Sequence, residues 1–235
     1  MSHPLASTAA THPGNIRPRN EDNLVNRPDL GLWAVADGAG GHGSGDVAST
    51  AIAEALSSIP PSLTAAEMLA QVRLRVIAVH ADLQARAAAR QTGGIIASTL
   101  VVLLVRGQHF AALWAGDSRI YLLRQGALLR VTHDHSLVQE LVDSGALAAE
   151  DAEAHPQANV ITRAVGADGP LNLDKVADRL QPGDRFMLCS DGVFKELPEA
   201  EIAACLLRGA DAAELVERSV AAGGRDNVTV VLVQG

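Results

Sequence analysis

The chain has 235 residues, is 48% hydrophobic and 20% charged, and carries 19 Lys and Arg against 27 Asp and Glu for a net charge of −8; this describes a folded domain and excludes a disordered chain. The acidic balance argues against a dedicated nucleic-acid binder and against a polybasic membrane anchor, both of which need an excess of positive charge. Two cysteines, Cys189 and Cys205, cannot build a disulfide framework, no run approaches the roughly 18 apolar residues of a membrane span, and the first residues lack the basic-then-apolar pattern of a secretory leader, so a cytoplasmic location is expected.

The run 30–36 (LGLWAVA) is apolar and ends in Asp37 and a glycine cluster, the pattern of a buried strand running into a loop. A helix is predicted over 45–59, stopped by Pro60-Pro61. A second opens at Thr64, which as N-cap forms a capping box with Glu67. Met68, Val72, Val76, Val79 and Leu83 then fall at steps of three and four, one apolar stripe for core packing. Strands are predicted over 95–105, 109–115, 119–124 and 127–132, with turns at Gly107, Gly116-Asp117 and Gln125-Gly126. Turns this short join antiparallel neighbours, because a parallel crossover takes about a dozen residues or more. Helices follow over 136–144 and 148–154, extended segments over 159–165 and 171–180, and a buried strand over 185–189. Helices over 198–206 and 211–221 and a closing strand over 227–233 complete the order. It predicts an α+β fold, antiparallel sheets covered by helices, in a single domain over 1–235. Residues from about 132 to 169 are too many for a hairpin loop and read as a functional insertion.

Several acidic residues stand where an apolar strand meets a turn: Asp37 in AVADGAGGHG, Asp117 in WAGDSR, Asp191 in LCSDG and Asp226 in GRDNVTVV, with Glu21-Asp22 behind Arg17-Pro18-Arg19-Asn20. One alone reads as a turn former, since Asp-Gly is a common turn dipeptide. Sheets that set these strand ends side by side would gather several carboxylates in one cleft, where like charges raise pKa values or recruit cations. An all-oxygen donor set without a Cys cluster or a His-x-x-x-His pair selects Mg²⁺ or Mn²⁺ over Zn²⁺ or Cu²⁺. Two such ions form the usual clamp for phosphoester hydrolysis. The glycine run after Asp37 makes the backbone accessible, but no Lys-Ser/Thr follows, so it is not a Walker motif.

Arg17-x-x-Asn20-Glu21-Asp22, Val35-Ala36-Asp37-Gly38-x-Gly40-Gly41-His42, Gly116-Asp117-Ser118-Arg119, Ser190-Asp191-Gly192 and Asp226-Asn227-Val228-Thr229 occur in that order. Together they resemble the compact bacterial form of the type 2C, metal-dependent serine/threonine protein phosphatases, over nearly the whole chain. The resemblance implies a central sandwich of two antiparallel sheets flanked by helices (αββα), with the 132–169 segment as a flap beside the active site. It implies Mn²⁺ or Mg²⁺, two ions and a third in bacterial members. Asp37 corresponds to the carboxylate shared by two metals, Gly38 to a carbonyl ligand, Asp191 and Asp226 to further ligands of the first metal, Asp22 to an acid acting through water, and Asp117 to the ligand of the third. Arg17 corresponds to the arginine that grips the substrate phosphate. The implied reaction is attack on phosphorus by metal-activated water, without a phosphoenzyme, on phosphoserine and phosphothreonine in proteins, reversing a serine/threonine kinase.

Many members of that family carry His directly after Asp-Gly; here Ala39 stands there and His42 follows three residues later. His42 is the candidate proton donor to the leaving group, or else binds water or caps a helix. Arg163 is read as a structural salt-bridge partner, and His133 and His135 as a turn that positions the next helix. Cys189 has no arginine at the Cys-x5-Arg spacing of a cysteine phosphatase, so both cysteines are read as core. A monomer without nucleic-acid or membrane partners is expected. The rival readings are a two-metal hydrolase of small phosphoesters and a catalytically inactive phosphoprotein-binding module.

Overall fold

Strands that are apolar at every position must be covered on both faces, and this requirement organises the molecule. The computed structural model describes residues 5–39, 44–90 and 94–235. In chain order it contains β1 (Ala6–His12), β2 (Asn23–Arg27), β3 (Leu32–Ala36), β4 (Gly38–Ala39), α1 (Gly45–Ser57), α2 (Ala65–Ala88), β5 (Ala97–Ser98), β6 (Leu100–Arg106), β7 (His109–Ala115), β8 (Arg119–Arg124), β9 (Ala127–Arg130), α3 (Leu137–Asp143), β10 (Asp174–Arg179), β11 (Arg185–Cys189), α4 (Asp191–Phe194), α5 (Glu199–Leu207), α6 (Ala212–Ala222) and β12 (Val228–Gln234). One sheet has the order β1-β12-β11-β8-β9 and the other β10-β7-β6-β3-β2. Every pairing within them is antiparallel.

Alternate residues of each strand point to opposite faces. Trp33 and Val35 of β3, Val101 and Leu103 of β6, Phe186 and Leu188 of β11 and Val231 and Val233 of β12 fill the space between the sheets. Phe110 and Phe186 meet there edge to face at 4.8 Å between ring centres. The opposite residues face helices. Ala34, Ala36, Val102 and Leu104 pack with Ile52 and Leu56 of α1 and Val72 and Val76 of α2. Tyr121, Met187, Val230 and Leu232 pack with Ile202 and Cys205 of α5 and Leu215 of α6. The layers run helix, sheet, sheet, helix, as the resemblance implies, and both cysteines are buried. Among the described residues no helix is long and apolar enough to cross a membrane.

The predicted helix starts hold. Thr64 and Glu67 form both halves of the capping box on α2, and Ser136 and Asp211 cap α3 and α6 with their side chains. The α2 stripe is buried at Met68, Val72, Val76 and Leu83. It also buries His80, whose Nδ1 accepts from the Gly166 amide and whose Nε2 donates to the Gly169 carbonyl, both at 2.9 Å.

Four expectations change. The single strand over 95–105 breaks at Thr99, so that β5 pairs with β4 while β6 joins the second sheet. The helix over 148–154 shrinks to one 3-10 turn, Ala149–Asp151. The extended segment 159–165 makes only isolated bridges, Ile161 to Ser136 and Val165 to Ser98. β1 and β2, which were not predicted, exist by pairing: β1 is small and polar and β2 carries only two apolar residues, and they lie at sheet edges beside β12 and β3, where context outweighs intrinsic propensity.

An ion-pair rivet joins the ends of the two sheets. Arg124 on β8 donates to Asp184 from Nε (2.9 Å) and one terminal nitrogen (2.8 Å), to Asp178 on β10 (3.0 Å), and to the Arg179 carbonyl (2.8 Å). Asp184 is 1% exposed and also accepts from the Gln181 amide. Asp184→Ala should cost about 2 kcal/mol, because it removes three hydrogen bonds to a buried carboxylate and leaves the partly buried Arg124 guanidinium with only Asp178 and the Arg179 carbonyl; urea unfolding measures it, and a loss below about 1 kcal/mol contradicts the rivet.

Candidate functional site

Each predicted acidic residue lies at the end of a regular element, and neutral side chains fix the loops that carry them. β3 delivers Asp37. Its amide donates to Thr99 Oγ1 at 3.1 Å, and its carbonyl accepts from the Thr99 amide at 2.8 Å and from Ser98 Oγ at 2.9 Å. Thr99 Oγ1 is also 2.7 Å from Ser118 Oγ. One threonine, at the break between β5 and β6, therefore positions Asp37 and the β7–β8 turn that carries Asp117. Gly116 in that turn has φ +110°, and a Cβ there would come within 2.6 Å of the Thr99 side chain. Its amide donates to Nδ1 of buried His135 at 3.1 Å, and His135 Nε2 faces Asp174 at 3.3 Å.

Asp22 precedes β2. Its Oδ2 accepts from Thr229 Oγ1 at 2.6 Å and Ser190 Oγ at 2.8 Å, which binds it to the strand ends that carry Asp226 and Asp191. Asn227 donates to the Pro13 and Arg19 carbonyls, both at 2.9 Å, and accepts from the Glu21 amide at 2.8 Å. It thus clamps the loop containing Arg17. Gly38 and Gly45 meet backbone to backbone: a Cβ on Gly38 would lie 2.4 Å from the Gly45 carbonyl oxygen, and one on Gly45 would lie 2.5 Å from the Gly38 carbonyl oxygen. Gly40, Gly41 and His42 lie outside the described residues.

The carboxylates feel one another. Loss of hydration raises Asp37 well above the ordinary carboxylate range, and Asp22, Asp191, Asp117 and Asp226 raise it further. Asp22 is pushed up to about 7, chiefly by lost hydration and then by Asp191 and Asp226, against the lowering effect of its two hydroxyl donors. Lost hydration and Asp191 push Asp117 up to about 7 as well, with Lys195 opposing. Glu21 is raised by lost hydration and by Asp46. This is the behaviour of like charges crowded where water cannot screen them. Among the described residues Asp22 Oδ1 and Asp117 Oδ1 are buried and have no hydrogen-bond partner, although buried polar atoms are nearly always satisfied.

Among the described residues, Arg17 and Lys195 pair with carboxylates of the cluster. Arg17 pairs with Asp226 at 2.7 Å and is half exposed. Lys195 pairs with Asp191 at 2.5 Å. Among the described residues no group of three His, Cys, Asp or Glu side chains is arranged to hold one ion by itself. The set still fits hard divalent ions, which take oxygen donors and, for Mg²⁺, only one or two carboxylates per ion with waters completing the shell. The two unpartnered carboxylate oxygens are the observation that favours this fit.

Beside the cluster runs a groove of about 1,060 Å³, lined among others by Arg17, Asp117, Arg119, Asn159, Lys195 and Asp226. Arg119 does not offer a free charge to it. Its guanidinium is held by Asp134 (2.7 Å) and the Tyr121 hydroxyl (3.1 Å) and stacks 3.6 Å over the Phe194 ring. It therefore braces α4 directly behind Asp191. Arg163 pairs with Asp174 at 2.7 Å, the structural role read from the sequence. Thr99, Asn227, Arg119 and Lys195 were not singled out from sequence. Asn227 and Arg119 lie inside the quoted motifs, so the signal was present; Thr99 and Lys195 carry none.

The model of the protein phosphatase 2C family matches residues 19–221. The serine/threonine phosphatase Stp of Listeria monocytogenes is 34% identical, over 95% of this chain and 93% of that one. Among solved structures, PppA of Pseudomonas aeruginosa superposes with a TM-score of 0.89 at 38% identity, covering 97% of this chain and 96% of that one. The catalytic domain of the phosphatase PstP in complex with two manganese ions gives a TM-score of 0.83 at 32% identity, covering 98% and 97%. With a family match over most of its length and an aspartate cluster built from five separate segments, the chain belongs to the protein phosphatase 2C family.

Proposed function

We propose that the protein is a serine/threonine protein phosphatase that hydrolyses phosphoserine and phosphothreonine in proteins with Mn²⁺ or Mg²⁺. The observation that carries this is the convergence of buried aspartates, two of them with unpartnered oxygens, beside an accessible arginine at a groove. Homologues named as serine/threonine phosphatases support it.

Asp37, the Gly38 carbonyl, Asp191 and Asp226 would hold the first ions, Asp22 would act on them through water, and Asp117 would hold a third, weaker ion. Bound divalent cations supply an acidified water and neutralise phosphoryl charge. The chain's own contribution is position and charge. Arg17 engages Asp226 through a single terminal nitrogen, which leaves guanidinium donors for two phosphate oxygens at once. The leaving alkoxide needs a proton, and His42 supplies it. Residues from about 132 to 169 form the flap that borders the groove, and the chain works as one catalytic domain and as a monomer in the cytoplasm, opposite a serine/threonine kinase. The net charge of −8 agrees with the absence of nucleic-acid partners.

Phosphate release from a phosphothreonine peptide should require Mn²⁺ and stop with chelator. Asp37→Asn should lower kcat at least ~10²-fold. Preference for nucleotides over phosphopeptides would overturn the assignment, as would the absence of metal-dependent turnover.

Arg17→Ala should raise KM for the peptide more than it weakens Mn²⁺ binding; equal losses in a metal titration contradict its role. His42→Gln should slow the peptide, with its poor alkoxide leaving group, while sparing an aryl phosphate whose leaving group needs no proton. Equal slowing of both substrates removes His42 as the acid.

Asp22 and Asp117 titrate near 7 when folded against an ordinary 3.8, so between about pH 4 and 7 the folded state binds protons that the unfolded chain has released. Their contribution to metal-free stability therefore falls as pH rises through that window. His135, lowered by burial, acts in the opposite sense, but equally with and without Mn²⁺. The rise in melting temperature on adding Mn²⁺ should grow from about pH 5 to about pH 7.5, and a constant rise contradicts the carboxylate assignment.

A further inference from the structure

Lys195 follows Asp191 by one helical turn and directs its ammonium group back into the cluster. Its Nζ donates to Asp191 Oδ2 at 2.5 Å and to Asn159 Oδ1 at 2.7 Å. Its side chain is 31% exposed, and that of Asp191 14%. The charges of Asp191, Asp117 and Asp37 all act on it. An exposed Asp-to-Lys pair at this helical spacing would be a minor surface contact. Here the amine is drawn into a site where three carboxylates share one field, and water screens it little. An ammonium is a compact point charge on a flexible stem, so it can satisfy Asp191 without the fixed geometry that an ion demands.

The second partner is what gives the contact a consequence. Asn159 belongs to the segment between α3 and β10, which is also attached near the site through the Leu137 amide on the Val160 carbonyl, the Ile161 bridge to Ser136 and the Thr162 amide on the His135 carbonyl. Lys195 therefore has one donor on a carboxylate of the cluster and another on the groove's border.

We propose that Lys195 is a positioning residue that acts as a tethered cation for the aspartate cluster, sharing Asp191 with bound metal and tying the flap, through Asn159, to that same carboxylate. This rests on the reading of Asp191 and Asp117 as metal ligands. Two consequences follow. Positive charge fixed beside Asp117 and Asp191 disfavours an ion there, so the weakest metal site is weak partly because Lys195 stands in it. Flap attachment and metal occupancy are linked, and linkage is reciprocal: the factor by which bound metal loosens the flap is the factor by which flap attachment weakens metal binding.

Mn²⁺ binding to the full chain, followed by calorimetry, tests the first consequence, and protease cleavage within 149–160, with and without Mn²⁺, tests the second. Lys195→Met should tighten the weakest Mn²⁺ site at least about tenfold, whereas Lys195→Arg, which keeps the charge, should stay within about threefold of wild type. Asn159→Ala should speed flap cleavage to the rate seen in Lys195→Met and, because the charge stays, tighten Mn²⁺ binding by less than Lys195→Met does. Lys195→Gln takes the place of Lys195→Met if the latter does not fold. Unchanged or weaker Mn²⁺ binding on loss of the charge overturns the proposal, as does flap cleavage indifferent to both substitutions. A wild-type chain that binds no Mn²⁺ overturns the functional reading and this proposal with it. Wild-type binding that Lys195→Met leaves unaltered overturns this proposal alone.

Discussion

Asp22, Asp37 and Asp117 are held where lost hydration and mutual repulsion raise all three carboxyls, and much of the neighbouring scaffold is there to keep them so. Left to themselves, like charges in a dry site would move apart or draw in water. They stay because each sits at the end of a strand or beside one, and the strands are locked by two apolar layers and the space between the sheets. The apolar core thus holds in place an electrostatic arrangement that opposes folding until positive charge arrives.

The supports of Asp22, Asp37 and the Asp117 turn are neutral. Thr99, Ser118, Ser190, Thr229 and Asn227 orient backbone and carboxylates by hydrogen bonds without cancelling charge. A cationic support at each of these places would fix geometry equally well, but it would consume the negative field that attracts divalent ions. The hydroxyls on Asp22 engage one oxygen and leave the other unpartnered, so orientation and availability are obtained together.

Three of the cations that line the groove have three different outcomes. Arg17 is half exposed and held by one contact, so it can exchange partners with a phosphate. Arg119 is saturated by Asp134, Tyr121 and Phe194, so it serves as a brace. Lys195 lies between them, on a cluster carboxylate and on the groove's border at once. What separates these residues is how many of their donors the surrounding structure has already used.

The α+β class, the helix starts at Thr64, Ser136 and Asp211 and the buried strand over 185–189 were legible in the sequence because they depend on neighbours a few residues apart: a capping side chain, an apolar period, a turn dipeptide. The aspartates were legible too, as acids at the ends of apolar runs, a position that is costly unless used. β1, with its small and polar residues, had no local signal and exists because β12 offers it an edge. The break at Thr99, the saturation of Arg119 and the reach of Lys195 to Asn159, 36 positions earlier in the chain, were likewise decided only by tertiary structure. Periodicity and caps act through short-range sterics, whereas the partner of a long charged side chain depends on which distant strand ends the sheets bring together.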